Sequence, residues 1–331
     1  MSWSNIPGQK AVKELIKSQL QEGRLSHAYL LLGPRGTGKQ KFAWELAATC
    51  LCLENEIESC GSCLSCRKIE HNNHPDVRAF SLAEDKKKIG IDIIRDLQHR
   101  LSLKPFEADR RFFIINEADK MTPQASNCLL KSLEDPPNYA TLLLLAEEES
   151  RLLPTILSRC QHLRFHPLSR EKIASMLQKE KELNRDAALH LSRLAAGSPG
   201  RALKLAEDDE LPEYRKKTLN FMEGLSRHKD VEILEEAEKW KKWLQEGMPL
   251  FDLLKEWFRD IIVYKRSGSG PVRNSDYLSA IKETARSFCP GELLEMLAAV
   301  ERADEDIEAN VRPELVLQVM LLNLKEKLSE N

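Results

Sequence analysis

Three apolar runs mark the first half of the chain: Ala28-Tyr29-Leu30-Leu31-Leu32, Phe112-Phe113-Ile114-Ile115 and Leu142-Leu143-Leu144-Leu145. None alternates with polar positions, so each reads as a strand covered on both faces. Between them the apolar spacing turns helical, over Lys41 to Cys52 and again over Pro123 to Leu133, where Pro136-Pro137 ends the segment. Buried strands alternating with helices predict an α/β domain built on a parallel sheet.

After Arg164-Phe165-His166-Pro167 the strand signals stop. Ser169-Arg170-Glu171 reads as a helix start, helical periods continue to Leu194, and Gly197-Ser198-Pro199-Gly200 interrupts them before a helix from Arg201. The acidic segment Glu207 to Pro212 reads as a boundary. Beyond it the pattern is helical throughout, broken mainly at Ser267-Gly268-Ser269-Gly270-Pro271. The expected divisions are an α/β domain over 1–166, a small helical domain over 167–208 and an all-α domain over 209–331.

With 331 residues, 31% charged, and 50 Lys+Arg against 52 Asp+Glu, the composition is globular and lacks the excess of one sign that marks a polyelectrolyte binder. The N-terminal segment has no unbroken apolar core of the kind a signal peptide needs. No apolar run reaches membrane-spanning length, so a cytoplasmic protein without membrane contact is expected. The run Lys86-Lys87-Lys88 is read as a solvated loop rather than a contact to DNA phosphates.

The first apolar run leads into Gly33-Pro34-Arg35-Gly36-Thr37-Gly38-Lys39-Gln40, which fits the phosphate-binding pattern GxxxxGK[ST] at every position but the last. Closely spaced glycines let backbone N–H groups converge on phosphate oxygens, and the following helix points its positive end at them. Gly33, Gly36, Thr37, Gly38 and Lys39 are therefore candidate nucleotide-binding residues. Gln40 stands where a hydroxyl normally holds Mg²⁺. The second apolar run ends in Asn116-Glu117, where an Asp that binds Mg²⁺ is expected. Two metal contacts are thus missing, which should remove most hydrolysis while leaving weak nucleotide binding.

Of the eight cysteines, five fall between positions 50 and 66. Cys60-Gly61-Ser62-Cys63-Leu64-Ser65-Cys66 holds two overlapping CxxC spacings, each able to chelate one tetrahedral metal. A structural zinc site of Cys52, Cys60, Cys63 and Cys66 is expected, within a module over about 50–75. Cys50, His71 and His74 are alternative fourth ligands, and a reactive dithiol is the alternative chemistry. Arg159, in Thr155-Ile156-Leu157-Ser158-Arg159-Cys160, would be an ordinary surface arginine by itself. Beside a phosphate loop it becomes a candidate for an arginine supplied in trans to a neighbour's phosphoryl transfer.

Taken together, SHAYL (Ser26 to Leu30), GPRGTGK, CGSCLSC, IINEADKMT (Ile114 to Thr122), NCLLKSLEDPP (Asn127 to Pro137), TILSRC and GSPGRAL (Gly197 to Leu203) resemble the clamp-loader branch of the AAA+ ATPases. Ala309-Asn310-Val311-Arg312-Pro313-Glu314-Leu315 is similar to the end of that family's collar domain. The resemblance is dense over 6–205 and sparse over 210–300. It implies a RecA-like nucleotide-binding domain carrying a zinc module, a helical lid and a helical collar through which five subunits assemble. The assembly opens a sliding clamp and places it on primed DNA. By position, Arg159 would be the arginine finger and Arg201 the lid arginine that senses phosphate in active members.

Active members carry a hydroxyl at Gln40, an Asp at Asn116 and a Thr near Ala146-Glu147, where a carboxylate would repel a γ-phosphate. The resemblance therefore implies a stator-like subunit of a DNA polymerase holoenzyme, without ATPase activity of its own. Its partners would be gamma/tau motor subunits and a delta subunit, with the clamp and DNA reached through the complex. An ATP-hydrolysing motor of the gamma/tau type is the alternative. A plain zinc-dependent DNA-binding module is disfavoured by the near-neutral charge. The periodic Leu315, Leu317, Leu321 and Leu322 are expected to pack inside the collar.

Overall fold

The computed structural model describes residues 2–55, 57–82, 88–268, 272–309 and 311–329. Lys86 and Lys87, Ser269 to Pro271 and Asn310 lie outside the described residues. The chain divides into two compact units, Met1–Lys204 and Leu205–Asn331.

In the first unit the strands are β1 (Ala28–Leu32), β2 (Val77–Phe80), β3 (Arg111–Ile115), β4 (Ala140–Ala146) and β5 (Gln161–Arg164). They form one parallel sheet of order β2-β3-β4-β1-β5. The three apolar runs are its centre, with every residue of β1, β3 and β4 buried. β2 was not expected. It is an edge strand whose middle residues Arg78 and Ala79 are exposed, so it carries no continuous apolar run.

Helices α1 (Lys10–Gln21), α2 (Lys39–Cys50), α3 (Leu64–Glu70), α4 (Ile91–Leu101), α5 (Pro123–Glu134) and α6 (Pro154–Leu157) accompany the sheet. Phe42, Leu46 and Ile16 pack on one face with Tyr29 and Leu31, while Ile94, Leu97 and Leu129 pack on the other with Leu30 and Phe113. α2 starts at Lys39, two residues earlier than the apolar spacing suggests, because Gly38 caps it in the left-handed region. α5 starts where Thr122 Oγ1 accepts the Ala125 N–H at 3.2 Å and Pro123 presets the first turn.

The unit continues into α7 (Arg170–Lys181), α8 (Arg185–Leu194) and the start of α9 (Pro199–Glu207). Ser169 caps α7 by accepting the Lys172 N–H at 3.4 Å, as its sequence signature indicates.

A buried carboxylate stiffens the far end of the sheet. Asp76 accepts the backbone N–H groups of Phe106, Glu107 and Ala108 at 2.8, 2.9 and 3.1 Å and faces Arg111 at 3.4 Å. Removing one partner from a buried charged network leaves the other unpaired, so Asp76→Ala is expected to cost about 3–5 kcal/mol. A urea denaturation midpoint equal to that of the unmodified chain would refute this role.

The second unit holds α10 (Leu211–Glu223), α11 (Asp230–Gln245), α12 (Leu250–Ser267), α13 (Leu278–Ser287), α14 (Pro290–Glu308) and α15 (Pro313–Ser329). Trp240, Trp257, Phe258, Met296, Leu317 and Leu321 anchor its core. Leu322 is partly buried against that core, but Leu315 is 51% exposed. This corrects the expectation that it packs inside: two residues before Leu317 on a helix, it turns to the other face. Among the described residues no helix is long and apolar enough to cross a membrane.

Candidate functional site

Pairing Leu32 with Ala146 in the β1–β4 register brings the phosphate-type loop beside the start of the β4 exit. Gly33 N–H donates to Ala146 O at 3.2 Å, fixing the two exits together. A cleft of about 460 Å³ opens here, at the carboxyl ends of the strands, where open parallel sheets bind ligands. Its walls include Gly36, Gly38, Lys39, Gln40, Asn116 and Glu147.

The loop is held from several sides. Thr37 is buried and donates its hydroxyl to Pro34 O at 2.8 Å. Gln9 donates to Thr37 O at 3.4 Å and to His166 O at 2.8 Å. Gly36 lies at φ +74°, and a Cβ there would sit 2.1 Å from Ser198 Oγ. Its carbonyl accepts the Gly200 N–H at 3.0 Å, so the start of α9 rests directly on the loop. Pro199, Gly200 and Leu203 therefore line the cleft, whereas Arg201 is not part of its wall among the described residues. The Arg201 N–H donates to Ser198 Oγ at 3.1 Å.

Lys39 turns back on its own loop, donating Nζ to the carbonyls of Gly33 and Pro34. Burial holds its ammonium below the usual lysine range, and the carboxylates of Glu147 and Asp119 partly offset that. Gln40 is exposed on the cleft wall. The Asn116 amide donates to Ser81 Oγ at 2.8 Å, and Glu117 is tied to Lys120 Nζ at 2.6 Å. Where a hydroxyl and an aspartate would hold Mg²⁺ the cleft has the carboxamides of Gln40 and Asn116, and the acids Glu117, Glu147 and Glu180 also line it.

Asp119 has no role in the sequence reading although it stands within IINEADKMT. It is buried, and its Oδ2 accepts the N–H groups of Glu147 and Glu148, both at 3.3 Å. It therefore ties the segment after β3 to the segment after β4 and shapes the acidic side of the cleft.

Arg159 is not part of that cleft's wall among the described residues. Its guanidinium donates to Thr155 O at 3.0 Å and pairs with Glu134 Oε1 at 2.7 Å, with its side chain 34% exposed.

The second constellation is a sulfur cluster. Cys52, Cys60, Cys63 and Cys66 bring their Sγ atoms within 4.8 Å of one another. Cys52 reaches it because α2 ends at Cys50. The sulfurs accept backbone N–H groups: Cys60 N–H to Cys52 Sγ at 3.4 Å, Cys63 N–H to Cys60 Sγ at 3.3 Å and Cys66 N–H to Cys63 Sγ at 3.5 Å. Such donors favour thiolates. Hydrogen bonds from the Ser62 hydroxyl and nearby backbone N–H groups pull the Cys60 thiol down to about 6, while burial pushes the Cys66 thiol up.

Four thiolates at a Zn–S distance of about 2.3 Å require S···S separations of roughly 3.8 Å, and Cys60 and Cys66 lie 3.9 Å apart. The cluster fits a tetrahedral metal ion. Cys50 packs against the core beside Tyr29, where burial pushes its thiol up to about 12. His74 is engaged at both nitrogens, accepting the Asp76 N–H at 3.1 Å and lying 3.4 Å from Glu107. Neither joins the sulfurs.

Comparison with known proteins places these features in a family. Residues 8–169 match the family described as DNA polymerase III, delta subunit, and residues 212–326 match its C-terminal counterpart. The chain is 32% identical to DNA polymerase III subunit delta' of Bacillus subtilis (strain 168), over 98% of this chain and 99% of that protein. The chain belongs to the DNA polymerase III delta' family. The Escherichia coli (strain K12) delta' subunit is 27% identical over 95% of this chain and 93% of its own length. DNA polymerase III subunit tau of Bacillus subtilis (strain 168) is 25% identical over 97% of this chain but 61% of its own length. The parallel sheet with its glycine loop after β1, followed by helices, is the α/β arrangement that the motifs imply.

Proposed function

We propose that the chain is a stator-like, non-hydrolysing subunit of the DNA polymerase III clamp loader. In this reading 1–166 is the nucleotide-binding-like domain, 167–208 the lid and 209–331 the collar. The collar assembles with gamma/tau and delta subunits in the cytoplasm, and the ring loads the sliding clamp onto primed DNA. Arg159 is the finger offered to a neighbouring motor, and Cys52, Cys60, Cys63 and Cys66 hold a structural zinc.

The observation that carries the non-hydrolysing part is the set Gln40, Asn116 and Glu147 around one cleft. Without two Mg²⁺ contacts, and with the Glu147 carboxylate on the cleft wall, charge developing in phosphoryl transfer lacks the divalent ion that would neutralise it. Gly33, Gly36, Thr37, Gly38 and Lys39 still form a loop able to hold phosphate through backbone N–H groups, so ATP binding, where it occurs, is weak and unproductive. Arg201 corresponds by sequence position to the phosphate-sensing lid arginine of active members, although it is not part of the cleft wall among the described residues.

Steady-state ATP hydrolysis by the purified chain with Mg²⁺ is expected at background, unchanged by Lys39→Ala. Turnover of about 1 s⁻¹ or more, abolished by that substitution, would replace this reading with an active motor.

A further inference from the structure

Arg159 has a partner on a different element. Glu134 is the last residue of α5, and its Oε1 lies 2.7 Å from Arg159 Nη2. Thr155 O accepts from Arg159 Nη1 at 3.0 Å. The guanidinium is therefore gripped at both terminal nitrogens, one by a charge on α5 and one by a backbone carbonyl of α6.

An acid at this position is not explained by the helix that carries it. The C-terminal end of α5 bears a partial negative charge, which disfavours Glu and favours a cation. The cation comes from Arg159, 25 positions along the chain from Glu134. A long arginine side chain carries much rotamer entropy, and a planar fork held at two points loses it before a ligand arrives. The remaining N–H donors of the fork stay available, and about a third of the side chain is exposed.

We infer that Glu134 is a positioning residue for Arg159, preorganising the finger that a neighbouring ATP site receives; this rests on the proposed role of Arg159 itself. Glu134 touches no nucleotide in this scheme. It sets where the guanidinium stands when the ring closes, so its loss lowers turnover without changing how tightly ATP binds.

The test uses the full assembly, reconstituted with the motor and delta subunits of the same organism, and follows clamp loading on primed DNA against ATP concentration. Glu134→Ala is expected to slow the maximal rate about three- to tenfold, the scale of having to immobilise one rotamer-rich side chain anew. The half-saturating ATP concentration and the melting temperature of the isolated chain should not move. Glu134→Gln, which keeps an acceptor oxygen, should restore at least half of the rate. In an Arg159→Ala background, Glu134→Ala should do nothing more.

A wild-type rate for Glu134→Ala, with Arg159→Ala strongly impaired, would overturn the positioning role and leave the finger intact. An equal slowing by Glu134→Ala in the Arg159→Ala background would overturn it as well, by showing that Glu134 acts through something else. A wild-type rate for Arg159→Ala would sink the finger and the positioning role together.

Discussion

Arg159→Ala is expected to lower clamp loading by the reconstituted assembly about tenfold or more, without preventing assembly. An arginine delivered in trans neutralises charge on the transferring phosphoryl group, and its removal costs about 10³ to 10⁵ in turnover at the receiving site. Under the proposed role, other sites in the ring would not depend on Arg159, so total hydrolysis should fall less than that. The loading rate is therefore the readout. The side chain is poorly placed for a purely structural part: its 2.7 Å pair with Glu134 is half-exposed, and such pairs contribute only about 0–1 kcal/mol. A normal loading rate would show that this arginine is an ordinary surface residue. Failure to assemble would be equally damaging, because it would move the role from catalysis to packing.

Under the proposed function, the contrast between Arg159 and the cleft would let one chain keep one half of an active site and lose the other. The residues proposed to hold a nucleotide in cis gather at the ends of β1, β3 and β4. Arg159 follows α6 and is not part of that wall among the described residues. Neither Thr155 nor Glu134, the partners of Arg159, is one of Gln40, Asn116 and Glu147. Lys39 survives in a packing role as well, since its ammonium ties together two carbonyls of its own loop.

How much of this the sequence discloses depends on where burial is two-sided. β1, β3 and β4 are legible because central strands of a parallel sheet are apolar on both faces. β2, with Arg78 and Ala79 exposed, lacks that mark, and α4 escapes notice although Ile94, Leu97 and Leu101 line one face. The phosphate loop and the CxxC pair are legible because their chemistry demands fixed local spacing. Asp119, Gln9 and Glu134 are not, because each acts by a hydrogen bond or ion pair to a residue distant in the chain. Gln9 and His166 lie 157 positions apart, a pairing that no local pattern encodes. The choice between Cys50 and Cys52 needs the exact end of α2, and helix ends are the part of a helix that sequence patterns mark least sharply.

Stripping metal from the cysteine cluster is expected to unfold the segment around residues 52–66 while the sheet survives. The four sulfurs close a loop of chain with little apolar support: Leu53 and Leu64 are 72% and 56% exposed. Structural zinc supplies about 10–16 kcal/mol of apparent binding free energy at neutral pH, far more than so small a module can recover from packing. The module also touches the rest of its unit through specific bonds. Ser59 Oγ donates to the buried Glu45 of α2 at 2.6 Å, and Trp3 Nε1 donates to Ile57 O at 3.2 Å. Chelation by a strong competitor, or Cys66→Ser, should therefore open backbone amides of 52–66 to hydrogen exchange and expose the edge of Trp3, with the amides of β1, β3 and β4 still protected. Metal analysis of the untreated protein should find one zinc per chain. A zinc-free preparation with the same protection in 52–66 would refute the structural site, and a cluster that cycles between dithiol and disulfide without metal would put redox chemistry in its place.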